Sequence, residues 1–148
     1  MYIKTIKINK NHYSTDWVPI SYKLNNKYYS NSYTFLWSIN YNVIALCRIY
    51  YISSNKIQLG DLWINNNYRG KYNKFGIKYS LAFMRKVILK IWKLYPSISH
   101  ISLIVDKNNL PAIKLYKKLN FIKSKTISNQ SLNIKSGFYM VRYKRILK

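Results

Sequence analysis

The sequence predicts a mixed α/β fold in a single domain, residues 1–148, with a mostly antiparallel sheet of six or seven strands flanked by about four helices. Three observations support this prediction. Runs of alternating or β-branched residues recur along the chain, one long amphipathic segment interrupts them, and a shorter helical segment follows one strand later. The order strand, helix, strand favours one parallel crossover in the sheet.

The first half of the chain is predicted to contribute four strands. Residues Tyr2–Ile8 alternate apolar and polar side chains, as a half-buried strand does. Residues 9–32 are polar and rich in Asn, Ser and Tyr, and one or two short helices are expected there. The β-prone runs 34–39, 43–52 and 56–64 are separated by turn residues, so we expect them to form an antiparallel meander.

The second half is predicted to contain the long helix and the remaining strands. Residues Phe75–Tyr95 form that helix, because apolar side chains recur at helical spacing and Pro96 ends it. A buried strand is predicted at Ile98–Val105. Two further β-prone runs, 121–127 and 137–146, close the chain.

The segment Asn109–Leu119 is predicted to be a second helix with a useful side chain. Asn109 and Pro111 favour a helix start, and Asn120 tolerates the left-handed backbone that ends a helix. One apolar face is formed by Ala112, Leu115 and Leu119. Tyr116 is not part of this face. The helix holds its phenol in a fixed direction, where it can donate a proton.

The charge of the chain is strongly one-sided. Its 148 residues include 26 Lys and Arg but only 3 acidic residues, which gives a formal charge of +23. Such a charge attracts polyanions and argues against polyamines or lysine-rich peptide tails as substrates. Biased codon usage would explain surface lysines equally well, so both interpretations remain open.

Cysteine and histidine are too sparse to suggest a metal site. Cys47 is the only cysteine and lies in an apolar run, so we expect a small core residue. His12 and His100 are far apart in sequence and no Cys pair accompanies them. The N-terminus lacks the apolar core of a signal peptide, and no run approaches the roughly 18–20 apolar residues that cross a bilayer. We therefore expect a cytoplasmic protein with no membrane partner.

Two segments resemble a known pair of motifs. Asn109–Phe121 closely resembles the second acetyl-CoA-binding motif of the GNAT superfamily of N-acetyltransferases, Asn-x-x-Ala-x-x-Leu-Tyr-x-x-x-Gly-Phe, with Asn120 in place of Gly. The first motif is Arg/Gln-x-x-Gly-x-Gly/Ala between a strand and a helix. Tyr68-Arg69-Gly70-Lys71 is similar to its beginning and Gly76-Ile77 to its end, with a few extra residues between them and Lys78 at the second small position.

This resemblance implies an N-acetyltransferase that uses acetyl-CoA. It implies that the strand before the loop splays from the next one and that pantetheine fills the gap. Trp63 and Ile64 would contact pantetheine through their backbones, Asn109 would contact the cofactor from the other side, and Tyr116 would bind the sulfur and protonate the departing thiolate. The implied diphosphate-binding residues are Arg69, Gly70, Lys71, Lys74, Phe75, Gly76, Ile77 and Lys78. The alternatives are a plain basic loop and a tyrosine that only packs.

Asp61 is the best candidate for a general base and for an anchor of the amine. A carboxylate inside an apolar strand is costly to bury unless it is paired or functional. Gly60 beside it predicts a β-bulge that re-aims the side chain. A structural Asp held by backbone or by an Arg, and proton transfer through water, remain alternatives. We expect Asp106 to cap the following loop or helix and His100 to be structural.

The acceptor amine is predicted from charge. A strongly basic chain suits a small anionic amine such as an amino-sugar phosphate, and small relatives that act on glucosamine 6-phosphate are similar in size, with an acidic residue on the corresponding strand. Arg142 in the last strand is the predicted ligand of that anion. Protein or peptide N-acetylation and a basic, tyrosine-rich nucleic-acid-binding module remain alternatives. Weak polyanion binding and a homodimer are also compatible with the sequence.

Overall fold

A computed structural model of the protein describes residues 18–24, 27–39, 42–129 and 134–145. Within these ranges the chain forms one seven-stranded sheet and two helices, which confirms the predicted mixed α/β class. The strands are β1 (Val18–Leu24), β2 (Lys27–Ile39), β3 (Asn42–Ser53), β4 (Lys56–Ile64), β5 (His100–Asp106), β6 (Ile122–Asn129) and β7 (Ile134–Tyr143). The helices are α1 (Tyr79–Leu94) and α2 (Leu110–Lys118).

The strands lie in the order β1-β2-β3-β4-β5-β7-β6. Every neighbouring pair is antiparallel except β4 and β5, which are parallel. Helix α1 connects these two strands, because a parallel pair needs a crossover from one end of the sheet to the other. The predicted parallel crossover and the predicted meander of β2, β3 and β4 are therefore confirmed.

The parallel pairing between β4 and β5 covers only three residue pairs, and the two strands continue unpaired with each other beyond it. Pairing joins Lys56 with His100, Ile57 with Ile101, and Gln58 with Ser102, and it ends there. Strand β4 nevertheless continues to Ile64 and β5 to Asp106. The segments 59–64 and 103–106 are therefore not paired with each other, and we call the gap between them the cleft.

Both helices pack on one face of the sheet and form the core with it. Helix α1 buries Phe83, Met84, Val87, Ile88 and Ile91, and the same hydrophobic cluster contains residues of β2, β3, β4, β5 and β7. Burying a side chain of this size contributes about 1.5–3 kcal/mol. Ile57, Ile101 and Leu103 line the sheet side of this core, directly beneath the point where β4 and β5 part.

Two element predictions were wrong within the described residues. One or two short helices were expected within residues 9–32, but the described part of that segment, 18–24 and 27–32, pairs as β1 and β2, and the rest lies outside the described residues. Long-range pairing overrides the weak preference of an Asn- and Ser-rich segment for turns. The long helix begins at Tyr79 and not at Phe75, because the left-handed backbone of Gly76 (φ 73°) interrupts it. The predicted strand at Tyr2–Ile8 lies outside the described residues.

Helix α2 follows its sequence signals at both ends and buries a wider face than predicted. The Asn109 side chain accepts a hydrogen bond from the Ala112 amide at 3.3 Å, and Asn120 is left-handed (φ 64°), as predicted. Of the predicted face, Leu119 is buried and Ala112 and Leu115 are partly buried against the core, and Ile113 and Tyr116 are buried as well. Tyr116 is thus part of the core.

Candidate active site

A β-bulge bends β4 immediately beyond the fork. Cys47 pairs with Leu62 and Ile49 pairs with Leu59, so Gly60 and Asp61 together lie opposite the single residue Arg48. A Cβ atom on Gly60 would come within 2.4 Å of a ring carbon of Tyr50, so any other residue at this position would require the buried Tyr50 ring to move. The predicted bulge is therefore present, and it lies where β4 separates from β5.

The loop after β4 is fixed to the end of that strand by hydrogen bonds. The Asn65 amide donates to the Ile44 carbonyl at 2.8 Å, and the Tyr68 and Arg69 amides donate to the Asn65 carbonyl at 2.8 and 2.9 Å. The Arg69 guanidinium also donates to the Ile64 carbonyl at 3.2 Å. Because Arg69 is engaged at the end of β4, its contribution is to hold the loop beside the cleft.

The extra residues before α1 form a small closed hairpin. Tyr72 and Lys78 form a β-bridge, and the Asn73 amide donates to the Ile77 carbonyl at 2.8 Å. The Asn73 side-chain oxygen accepts from the Phe75 and Ile77 amides at 2.9 and 3.0 Å. The amides of Phe75 and Ile77 are therefore occupied, and their predicted role as backbone ligands of a diphosphate is not supported.

The start of α1 is open to an anion. No side chain caps this helix, and its first turn contains no acidic residue. The Tyr79 amide donates to the Lys71 carbonyl at 3.2 Å, whereas the Ser80 and Leu81 amides have no partner among the described residues. Such free amides, together with the positive end of the helix dipole, favour a negative charge. Neither Ser80 nor Leu81 was predicted, because the helix start had been placed too early.

The loop also supplies positive charge and exposed rings. Lys71, Lys74 and Lys78 are all exposed. The Lys74 ammonium lies 5.1 Å from the ring centroid of Phe75, which is 74% exposed, and the Lys78 ammonium lies 5.7 Å from the ring of Tyr72. These lysines surround a helix start that lacks acidic groups, so the predicted basic anion site is chemically consistent.

Tyr116 brings a buried phenol to the helix side of the cleft. Burial raises the pKa of its hydroxyl far above the ordinary value, and the Cys47 thiol raises it further. Helix α2 follows β5, whereas Cys47 lies on β3 opposite Leu62 of β4. The Tyr116 ring packs against Phe121, with 5.9 Å between the ring centroids. The hydroxyl keeps its proton at neutral pH, as a tyrosine hydroxyl of ordinary pKa also does.

The remaining predicted residues lie on β4, at the end of β5 and at the start of α2. Trp63 is 39% exposed and Ile64 is buried, and both belong to the part of β4 that is not paired with β5. Asn109 caps α2. The Asp106 carboxylate accepts from the Asn108 amide at 2.7 Å, which confirms its predicted capping role. Asp61 lies on the bulge, but its side chain is not among those described, so its role as a base remains a prediction.

Arg142 lies at the wrong end of the sheet for the role predicted for it. It pairs with Ile101, near the beginning of β5, whereas the cleft begins beyond Ser102. Its guanidinium donates to the Leu119 carbonyl at the C-terminal end of α2 at 2.6 Å. Burial, followed by the charge of Arg145, lowers its pKa. This position argues against Arg142 as a ligand of the acceptor amine and makes it a cap of α2.

Within the described ranges, no three or more His, Cys, Asp or Glu side chains come close enough to hold a metal ion. The helices in the same ranges are too short or too polar to span a membrane. His100 begins β5, at the end of the strand opposite Asp106, where its ring contacts Tyr143. Its predicted structural role is in keeping with that place.

The strand order, the parted parallel pair and the helix that begins beside it define the fold class of the N-acetyltransferases. The chain belongs to the acetyltransferase (GNAT) family, whose model matches residues 4–121. No curated protein matched the chain. The resemblance noted in the sequence is therefore confirmed at the level of the family.

Solved structures of N-acetyltransferases share the fold at low sequence identity. A GNAT family acetyltransferase from Elizabethkingia anophelis, with acetyl-CoA bound, superposes with a TM-score of 0.66 at 11% identity, covering 76% of this chain and 76% of that chain. The ribosomal-protein-S18-alanine N-acetyltransferase of Escherichia coli gives 0.62 at 17% identity, covering 78% and 70%. The N-acetyltransferase PseH of Campylobacter jejuni gives 0.60 at 18% identity, covering 77% and 69%.

Proposed function

We propose that the protein is an acetyl-CoA-dependent N-acetyltransferase whose acceptor is the primary amine of a small anionic molecule, with amino-sugar phosphates as the leading class. The observation that carries the proposal is the parting of β4 and β5 after three residue pairs, next to an uncapped helix start. Family membership supports the transfer of an acetyl group. The class of the acceptor amine, by contrast, is inferred from the net charge of the chain alone.

The residues around the cleft fit coenzyme A. Trp63 and Ile64 lie where the described part of β5 does not pair with β4, so a pantetheine arm would lie beside them, and it would meet an Ile64 carbonyl that already accepts from the Arg69 guanidinium at 3.2 Å. The Ser80 and Leu81 amides at the start of α1 would bind the diphosphate, with Lys71, Lys74 and Lys78 supplying charge. Acetyl-CoA supplies an activated thioester and a thiol leaving group.

Tyr116 is proposed as the acid that protonates the leaving thiolate. Its phenol keeps its proton at neutral pH, as a tyrosine does at its ordinary pKa, and a core position fixes its direction. Asp61 on the bulge remains the proposed base, with proton transfer through water as the alternative. Placing the amine and the thioester side by side supplies much of the remaining rate enhancement.

The acceptor cannot be taken from the fold, because structural neighbours act on different amines. One is named as a ribosomal-protein-S18-alanine N-acetyltransferase, and another, from Vibrio cholerae, as a spermidine N-acetyltransferase. A chain with a net charge of +23 repels a polycation such as spermidine and attracts an anion. This difference favours an amine that carries phosphate or carboxylate.

Two measurements test the proposal. Acetyl-CoA should raise the melting temperature of the protein in a concentration-dependent way, since a ligand that binds only the folded state stabilises it. Thiol release should then be followed over a set of amines, with glucosamine 6-phosphate first and spermidine as the cationic control. No thermal shift with acetyl-CoA and no thiol release with any amine would refute the acetyltransferase function. Faster release with spermidine would refute the anionic acceptor.

A further inference from the structure

Phe75 is the most exposed of the large apolar side chains that the structure describes. It is 74% exposed and lies in the middle of the small hairpin that precedes α1. Single exposed apolar side chains are common on protein surfaces, and most of them have no binding role. Leu89 in α1, which is 66% exposed, is such a case. Phe75 differs from it in the rigidity of its backbone and in its place beside the proposed donor site.

The hairpin holds the backbone of Phe75 in a fixed position. A β-bridge between Tyr72 and Lys78 closes the hairpin, and the Asn73 side-chain oxygen accepts a hydrogen bond from the Phe75 amide at 2.9 Å. Gly76 has the left-handed backbone that completes the turn (φ 73°), and its amide donates to the Asn73 carbonyl at 3.0 Å. A ligand that contacts the ring therefore does not have to order this loop, which lowers the entropic cost of binding.

The base of the hairpin continues directly into the start of α1. The Tyr79 amide donates to the Lys71 carbonyl at 3.2 Å, and Lys78 of the β-bridge is the N-cap residue of the helix. Phe75 precedes Lys78 by three residues, so their Cα atoms lie within about 11 Å of each other. In coenzyme A the diphosphate is attached to a ribose that carries adenine. A diphosphate bound at the helix start would therefore have its adenosine within reach of the Phe75 ring.

The charges around the ring suit a nucleotide. The Lys74 ammonium lies 5.1 Å from the centroid of the Phe75 ring, and Lys71 and Lys78 at the base of the hairpin are exposed. An aromatic ring among cationic side chains can stack on a base while the charges attract the phosphates of the same molecule. Since most of Phe75 is exposed, its ring has open surface for a flat ligand. This combination favours the adenosine portion of the donor as the occupant.

We propose that the Phe75 ring stacks on the adenine of acetyl-CoA, so that the hairpin binds the nucleotide half of the donor. The inference rests on the proposed function. It gives the side chain of Phe75 a role in place of the backbone role that the family resemblance had implied, because the Phe75 amide is occupied by Asn73. A donor that lacks adenosine, such as acetyl-phosphopantetheine, should gain no affinity from this ring.

The test measures donor binding by calorimetric titration. Phe75→Ala should raise the Kd for acetyl-CoA about tenfold, the loss expected when one base no longer stacks on an aromatic side chain. Phe75→Trp keeps a flat ring and should stay within about twofold of the wild type. Leu89→Ala, which removes another exposed apolar side chain, is the matched control and should leave the Kd unchanged. The Kd for acetyl-phosphopantetheine should be the same in all four proteins.

Three outcomes would overturn the stacking role. The Kd for acetyl-CoA could stay unchanged in Phe75→Ala, or the affinity for both donors could fall equally, which would indicate a disturbed hairpin. Weaker binding of single-stranded oligonucleotides by Phe75→Ala, with an unchanged Kd for acetyl-CoA, would assign the ring to nucleic acid instead. A wild type that binds acetyl-CoA through Phe75 but releases no thiol with any amine would refute only the proposed function.

Discussion

Tyr116 illustrates how burial gives a side chain its chemistry. The sequence motif indicates a proton donor at this position, whereas the apolar spacing of the helix had left it off the core-facing side. In the fold it is 8% exposed and lies near Cys47. Removal from water disfavours the phenolate and so raises the pKa. At neutral pH the hydroxyl is protonated with or without this shift, so it is a proton donor where a thiolate is expected to leave.

Replacing Tyr116 by Phe should separate catalysis from donor binding. We expect turnover to fall about 100-fold or more, the range typical of a lost general acid, while the Kd for acetyl-CoA stays nearly constant. Steady-state kinetics and donor titration measure the two effects. Unchanged turnover would remove Tyr116 from the acid role and leave it as a packed aromatic residue.

The same hydroxyl should make stability depend on pH at the alkaline end. The folded-state pKa of Tyr116 is raised, so above about pH 10 the unfolded chain releases this proton while the folded chain keeps it. Because the folded state retains the proton, the contribution of Tyr116 to the free energy of unfolding is fully present below this pH. It declines as the pH rises further. Urea unfolding of the wild type should therefore lose stability above pH 10 relative to Tyr116→Phe, and parallel curves would contradict the assignment.

At the scale of elements, the ends of α2 show which predictions succeed. Asn109 and Asn120 act through their own backbone neighbours, so sequence alone predicted both ends of the helix. The start of α1 was missed because it is decided by the Asn73 side chain, which binds two amides of the extra hairpin. Strand β1 was missed because its pairing partner, and not its composition, makes it a strand.

Arg142 should stabilise α2 and leave the acceptor site unaffected. Arg142→Met removes a charge-assisted hydrogen bond to the Leu119 carbonyl, and the free energy of unfolding should fall by about 1–3 kcal/mol. Arg142→Lys should recover part of this loss. Chemical denaturation measures the stability, and the KM for the amine should remain unchanged. A raised KM without lost stability would restore the original prediction that Arg142 binds the acceptor.

The candidate site was predictable where a motif is continuous in sequence. The cleft, the bulge at Gly60 and the phenol of Tyr116 were all anticipated from such segments. The contacts of Lys56 and Lys125 with the Tyr139 ring were not, because they depend on the registers that join β4, β5, β7 and β6. Residues this far apart in sequence come into contact only after those registers are fixed.

At the scale of the whole molecule, the net charge of +23 predicts attraction to polyanions in general. Attraction of this kind releases counterions and therefore weakens steeply with salt. We expect single-stranded oligonucleotides to bind at low ionic strength and to dissociate at about 200 mM salt, whereas the Kd for acetyl-CoA changes much less. Fluorescence anisotropy measures both. Oligonucleotide binding that persists at high salt would favour the alternative of a nucleic-acid-binding module.

The three residue pairs between β4 and β5 also give the sheet a mechanical property. They join one half of the sheet to the other as a hinge, and each half, β4 with β3 or β5 with β7, acts as one lever arm. From Gln58 to Ile64 the arm is about 20 Å long, so a rotation of about 5° at the hinge displaces its tip by about 2 Å. A change of angle at these three pairs would therefore widen or narrow the gap without any change in the residues that line it.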